Sequence, residues 1–66
     1  MMKKEKWYQT RLAKYFEENY GEYSDDAAFY VNPATNQWFF DIPELEISVM
    51  LTCEDNGVVL EEVTPL

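Results

Sequence analysis

The 66-residue sequence predicts an α+β domain, in which an N-terminal helix packs on one face of a four-stranded antiparallel meander sheet. Three observations predict this fold. Apolar residues recur at helical spacing in the first part of the chain, apolar and polar residues alternate in later segments, and turn-forming residues separate those segments. The sequence contains no internal repeat and no low-complexity segment. Residues 1–66 are therefore expected to form one domain with the element order α-β-β-β-β.

The first predicted element is a helix over residues 3–20. Its apolar residues follow the spacing of a single buried stripe, and they are Tyr8, Leu12, Tyr15, Phe16 and Tyr20. Gly21 follows where a left-handed C-terminal cap is expected. Lysines crowd the N-terminus, and Glu17 and Glu18 lie in the last turn, so the charges oppose the helix dipole. Packing on the sheet, rather than local propensity, must therefore hold this helix.

The first strand is predicted over residues 27–31, after a polar connection at residues 22–26. A turn is expected at residues 32–36, whose sequence NPATN is rich in turn-forming residues. If this turn sets Val31 opposite Trp38, alternate side chains of the first strand join the buried face of the second.

Residues 37–53, with the sequence QWFFDIPELEISVMLTC, predict two strands around one tight turn. Apolar and polar residues alternate on both sides of the turn, which is typical of strands with one buried face. Pro43 suits a turn because it lacks an N–H and has a fixed φ. A two-residue loop of Pro43 and Glu44 would pair Ile42 with Leu45, and the apolar sets of both strands would then share one face.

The last hairpin is predicted at Asn56-Gly57, because both residues tolerate the positive φ of a type I′ turn. This turn would set Cys53 opposite Leu60, and it would place Glu62 on the core face near the end of the sheet. The expected core then consists of Leu12, Tyr15, Phe16, Phe29, Val31, Trp38, Phe40, Ile42, Leu45, Ile47, Val49, Leu51, Cys53 and Leu60.

The charges are unevenly distributed along the chain. All five basic residues lie within residues 1–16, which carry one acid and a net charge of +4, whereas residues 17–66 carry twelve acids and no basic residue. The overall net charge is −8, which argues against direct nucleic-acid binding. No run is long enough for a membrane span. The single cysteine, Cys53, fits a reducing compartment, so a cytoplasmic location is expected.

Catalytic, cofactor-binding and metal-ligating residues are not predicted, so the chain is expected not to be an enzyme. It has no histidine, which is the commonest general base and metal ligand. The alternation places Cys53 in the core, where it is expected to be unreactive. Asp41 and Glu46 are expected to pair across strands on the outer face, and carboxylates without a cleft are typical of a solvated surface.

The outer face of the sheet is predicted to be the binding surface for a protein partner. In the expected register Tyr30 lies opposite Phe39 and Met50 opposite Val63, which gives an apolar centre with an acidic rim. Ordinary strand propensity explains the same exposed aromatics equally well. The candidate protein-binding residues are Tyr30, Phe39, Met50, Val63, Asp41, Glu46 and Glu61.

The edge of the first strand is a second candidate surface. Residues 27–31 contain no charged residue and have a neighbouring strand on one side only. An uncharged edge invites pairing with another strand. Self-association as a homodimer and the addition of a partner peptide are both expected modes.

These observations favour a small acidic protein-interaction module that acts through the outer face or the first edge. Such size and acidity are common among accessory proteins of bacteria, phages and mobile elements. One alternative is a homodimeric structural protein. Another is an acidic mimic of nucleic acid that inhibits a DNA- or RNA-binding protein, because alternate strand residues are spaced about as far apart as phosphates. The mimic would use Asp41, Glu46, Glu54, Glu61 and the 22–26 loop.

Overall fold

The computed structural model describes residues 2–32 and 35–66, with side chains from residue 7 onward. The described residues form one α-helix, a turn of 3-10 helix and four antiparallel strands in the order β1-β2-β3-β4. The predicted α+β meander is therefore confirmed. The elements are α1 at Met2–Tyr20, the 3-10 turn at Gly21–Tyr23, β1 at Ala28–Val31, β2 at Gln37–Ile42, β3 at Ile47–Cys53 and β4 at Val59–Pro65.

The pairing of β1 with β2 has the predicted register. Val31 lies opposite Trp38, and Phe29 lies opposite Phe40. The predicted turn at residues 32–36 lies partly outside the described residues, because positions 33 and 34 are not described.

The turn between β2 and β3 is longer than predicted. The Leu45 N–H donates to the Ile42 carbonyl at 3.1 Å, and Ile42 pairs with Ile47 instead of Leu45. A two-residue type I′ loop needs positive φ at both positions, and Pro43 cannot adopt it. Glu46 instead takes the left-handed conformation, with φ 58°. The shift of two residues preserves which side chains face the core, but Leu45 leaves the core and is 41% exposed.

The turn between β3 and β4 is also longer than predicted, by one residue. The Glu54 N–H donates to the Val58 carbonyl at 2.8 Å, and the Gly57 N–H donates to the Glu54 carbonyl at 2.9 Å. Gly57 has φ 89°, so the loop is a tight turn followed by a left-handed glycine, as in three-residue hairpins with a bulge. Cys53 consequently pairs with Val59 and not with Leu60.

A slip of one residue reverses the faces of a strand, so the prediction for β4 was wrong. Glu61 and Val63 lie on the helix side of the sheet, where they pair with Leu51 and Val49. Glu62, which was predicted on the core face, lies on the outer face, and so does Leu60, which is 51% exposed.

The core lies between α1 and the inner face of the sheet. Rings from the helix and sheet meet there: the Phe16 centroid is 5.0 Å from those of both Phe29 and Phe40. Tyr15, Trp38 and Ile47 are partly buried around it. The buried side chains confirm half of the predicted core, and they are Leu12, Phe16, Phe40, Ile42, Val49, Leu51 and Cys53.

The helix lies off the centre of the sheet, closest to β3 and β4. The inner face of β1 is therefore incompletely covered. Phe29 and Val31 were predicted to be buried, but they are 39% and 40% exposed. One helix about 10 Å wide cannot cover four strands spaced nearly 5 Å apart.

Gly21 does not form the predicted left-handed cap. It begins the 3-10 turn, and its carbonyl accepts the Ser24 N–H at 3.1 Å. Among described glycines only Gly57 has a positive φ. The polar connection at residues 22–26 thus starts with one tight helical turn, which was predicted as an irregular loop.

Candidate functional site

The alternation of backbone hydrogen bonds along the strands identifies which backbone groups of β1 face solvent. The Cys53 N–H donates to the Asn36 carbonyl at 2.9 Å. In an antiparallel sheet, alternate residues of a central strand direct their N–H and C=O to opposite neighbours. The backbone groups of Asn36 point toward β3, so the backbone N–H and C=O of Phe39 and Asp41 point toward β1. Their hydrogen-bonded partners in β1 are Tyr30 and Ala28.

The intervening residues of β1, Phe29 and Val31, therefore direct their N–H and C=O groups away from β2. These groups form the free edge of the sheet. Each of these residues supplies one donor and one acceptor, and the two residues flank Tyr30. The free edge of β1 is thus a short template for another strand.

The side chains of β1 are exposed on both faces of the sheet. Phe29 and Val31 are partly uncovered on the inner face, and Tyr30 is 59% exposed on the outer face. The strand sequence AFYV contains no charged residue and no proline. A second strand placed along this edge would therefore meet apolar side chains above and below its backbone.

The opposite edge, formed by β4, differs in composition. Glu54 and Val58 form a hydrogen-bonded pair, so every second residue after Val58 in β4 also bonds to β3. The backbone groups of the intervening residues, Glu61, Val63 and Pro65, therefore point toward the free edge. Pro65 has no N–H to offer a further strand, and Glu61 places a charge on the inner face. Both are devices that discourage pairing at an edge.

The outer face carries some of the predicted binding residues. One cross-strand row contains Tyr30, Phe39, Met50 and Glu62, in place of the predicted Val63. The Tyr30 hydroxyl donates to Asp41 at 3.4 Å. A shallow concavity beside this row is lined by Phe39, Ser48, Val49, Met50, Glu62 and Thr64.

Three of the seven predicted binding residues lie elsewhere. Glu46 is in the turn after β2, so it does not pair with Asp41, whose cross-strand partner is Ser48. Glu61 and Val63 are on the helix side because of the bulged turn before β4. The structure brings together Tyr30, Phe39, Met50 and Asp41 on the outer face.

Glu61 is bound by two tyrosines of the helix, an arrangement that the sequence did not predict. The Tyr15 hydroxyl donates to Glu61 Oε1 at 2.9 Å, and the Tyr20 hydroxyl donates to Oε2. Burial raises the pKa of Tyr15 above its usual value, and the hydrogen bond and charge of Glu61 raise it further. This cluster fastens β4 to the helix and uses Glu61 as a structural acceptor.

The N-terminal half of the helix is fastened to the last hairpin. Arg11 Nη2 donates to the Gly57 carbonyl at 2.7 Å, and the Tyr8 hydroxyl donates to Asp55. A Cβ atom on Gly57 would lie 3.6 Å from the Trp7 ring. Trp7 thus lies beside the last hairpin, and its side chain is 39% exposed.

Cys53 is buried, which confirms its predicted place in the core. Burial raises the pKa of its thiol, Arg11 opposes this shift, and Glu54 and Asp55 add to it. Its slow reaction with thiol reagents remains a prediction.

Within residues 2–32 and 35–66, no cluster of three or more His, Cys, Asp or Glu residues could hold a metal ion. No helix in the described part of the chain is long and apolar enough to cross a membrane. Comparison of the chain with protein-family models, curated proteins and solved structures finds no match.

Proposed function

We propose that this protein is a small, non-enzymatic interaction module that binds another polypeptide at the free edge of β1. One observation supports the proposal most: Phe29 and Val31 present outward-facing backbone groups in a strand whose side chains are exposed on both faces. The strand carries no charge or proline, whereas the other edge carries both. A lone free cysteine supports the cytosolic location expected from the sequence.

The binding mode is addition of a strand. Backbone hydrogen bonds to Phe29 and Val31 supply affinity, and alternate side chains of the added strand supply specificity. Its inward side chains would cover Phe29 and Val31, while its outward side chains would pack beside Tyr30 and extend the row that contains Phe39 and Met50. The outer-face residues thus contribute to the same surface as the edge.

The arrangement of carboxylates gives less support to mimicry of nucleic acid. Asp41 lies on the outer face and Glu61 lies on the inner face, bound by tyrosines. Glu46 and Glu54 flank opposite ends of β3. These acids do not form the single track that a copied phosphate backbone requires.

Val31→Pro tests the proposal because it removes an N–H that faces the free edge. The fold should survive, since proline is tolerated at an outward-facing edge position. Tagged wild-type protein and this variant are used to capture partners from extracts of the native host, and the captured proteins are identified by mass spectrometry. We expect the variant to lose a partner that Val63→Pro, the matched change on the β4 edge, retains.

Circular dichroism melts should show that both proline variants are folded. Tyr30→Pro is a control for which β1 residues bond to β2. The Tyr30 N–H bonds to β2, so losing this hydrogen bond should destabilise the sheet. If Val31→Pro retains every partner that the wild type captures, the β1 edge is not the contact element. Loss of those partners only in the double variant Tyr30→Ser with Phe39→Ser would then assign binding to the outer face.

A further inference from the structure

We infer that the strand added to β1 is β1 of a second copy of this chain, antiparallel, with Tyr30 of each copy facing the other across a two-fold axis. This inference rests on the proposed function, because it names the occupant of the same edge. It gives a continuous eight-stranded sheet with the helices of both copies on one side.

The backbone of β1 is complementary to itself in this register. The edge-facing residues, Phe29 and Val31, lie one on each side of Tyr30. In an antiparallel copy centred on Tyr30, Phe29 meets Val31 of the second copy, and each such pair exchanges two hydrogen bonds. All the outward backbone groups of both residues are then used. In a register centred on Phe29, Val31 would extend past the end of β1 in the second copy. In a register centred on Val31, Phe29 would do so.

The side chains of β1 match in the same register. Phe29 and Val31, which the helix leaves partly uncovered, would pack against Val31 and Phe29 of the second copy. The two Tyr30 rings would meet on the outer face in a non-hydrogen-bonded pair, where side chains approach most closely. With Phe39 on either side, they would form a row of four aromatic rings. A two-fold axis makes each contact away from the axis occur twice, as in most homodimers.

The charges near β1 favour the antiparallel arrangement. Asp25 and Asp26 precede the strand, and residues 32–36 after it are neutral. Antiparallel pairing separates the acids of the two copies, because they lie at opposite ends of the paired strands, whereas parallel pairing would set acids beside acids. The two paired strands themselves contribute no charged side chain, because β1 has none.

The net charge of −8 on each copy opposes association at long range. Added salt screens this repulsion, so a homodimer should become tighter as salt rises. A basic foreign peptide would show the opposite dependence, because salt would screen its attraction. The interface consists of one short strand from each copy and is therefore small. Association should consequently be weak and dependent on concentration.

Cysteine cross-linking tests the register directly. Opposed residues of a non-hydrogen-bonded pair have Cα atoms about 4.5 Å apart, which is within the range for a disulfide. Under a mild oxidant, Tyr30→Cys should form a covalent dimer at least about tenfold faster than Thr52→Cys, which lies on the outer face of β3. Phe29→Cys should also be slow, because in this register it faces Val31 and not itself. The buried Cys53 of the parent protein supplies the background rate.

Sedimentation equilibrium supplies a second measurement that needs no new cysteine. We expect the wild-type mass to rise with concentration and the dissociation constant to fall between about 0.02 and 0.3 M salt. Val31→Pro should remain monomeric while melting cooperatively.

A wild type that stays monomeric, or equal cross-linking rates for Tyr30→Cys and Thr52→Cys, would overturn self-pairing. In either case, loss of an identified foreign partner in Val31→Pro would leave the proposed function standing. Retention of every foreign partner by that variant would remove both.

Discussion

Both edges of the sheet have backbone groups that face outward, but the two edge strands differ in composition. β1 ends the sheet with four uncharged residues that are all exposed. β4 ends it with Glu61, Glu62 and Pro65. Proline and an inward-pointing charge both discourage strand addition, and β1 has neither. Because these two features occur on the β4 edge and not on the β1 edge, β1 is the less protected edge of the sheet.

The exposure of the β1 side chains also depends on where the helix lies across the sheet. Its N-terminal half is fastened to the last hairpin through Arg11, and its C-terminal half is fastened to β4 through Tyr15 and Tyr20. These contacts draw the helix toward β3 and β4 and leave the inner face of β1 partly uncovered. The open edge is thus a consequence of helix docking as well as of strand composition.

The largest expected effect comes from Phe40→Ala, which removes a buried side chain that packs against rings of both β1 and the helix. Phe40 is fully buried, and its ring lies 5.5 Å from Phe29 and 5.0 Å from Phe16. Truncating a buried phenylalanine costs about 3–5 kcal/mol, which approaches the whole stability of a small domain. Thermal and urea melts should show a protein that is largely unfolded at room temperature.

Phe39→Ala is the matched control for Phe40→Ala, because Phe39 neighbours Phe40 and is 38% exposed on the outer face. Its melt should remain cooperative and lose much less stability. Equal losses for the two variants would mean that the inner and outer faces of β2 do not differ as described.

Gly57→Ala should have the next largest effect, because it strains the turn that sets the register of β4. A Cβ atom at Gly57 has room, at 3.6 Å from Trp7, so the cost comes from the backbone at φ 89°. An L-residue in the left-handed region costs about 1–2 kcal/mol. Urea denaturation measures this loss. Gly21→Ala is the control and should cost less, since Gly21 has no positive φ; the reverse order would contradict this account of the turn.

Tyr15→Phe should have a moderate effect that depends on pH. It removes one hydrogen bond to Glu61, worth about 1 kcal/mol at neutral pH. The pKa of Tyr15 is raised in the folded protein. Its stabilising contribution is therefore complete below pH 10, the ordinary pKa of tyrosine, and is lost as the pH rises through the folded pKa.

Urea melts from neutral pH to above pH 10 should show a smaller alkaline loss of stability in Tyr15→Phe than in the wild type. Glu61→Gln should also reduce that loss, because it removes the negative charge beside the phenol. An unchanged alkaline slope in both variants would mean that this cluster does not fasten β4 to the helix.

The smallest expected effect is that of Pro65→Thr. The new N–H would face the free edge and bond to water, so the free energy of unfolding should change by less than about 0.5 kcal/mol. Hydrogen exchange of the new amide should be fast. Slow exchange would show that this N–H has a partner and that the β4 edge is not free at this position.

Alternation in the sequence was sufficient to predict which side chains of β2 and β3 face the core. Phe40 and Ile42 of β2 and Val49 and Leu51 of β3 are buried as expected. The strand order also followed from the sequence, because short turns between strands leave a meander as the simplest arrangement. The period of two is a local property of the chain, so it survives a change of two residues in the length of a turn.

Turn lengths depended on backbone conformations that the sequence signals only in part. Pro43 excludes a type I′ turn, and this was a usable signal for the longer loop. Asn56-Gly57 suits a two-residue turn, but Gly57 instead takes the left-handed position of a three-residue loop. The one-residue slip that resulted moved Glu61 away from the predicted binding surface.

The candidate site was predicted in part, because the absence of charge in β1 and the exposure of Tyr30 and Phe39 follow from composition and alternation. The exposure of Phe29 and Val31 and the binding of Glu61 by two tyrosines did not follow. They depend on where the helix lies across the sheet, which is decided by contacts between residues more than forty positions apart in the chain. Periodicity determines which face of an element is apolar, whereas only tertiary packing decides how much of that face another element covers.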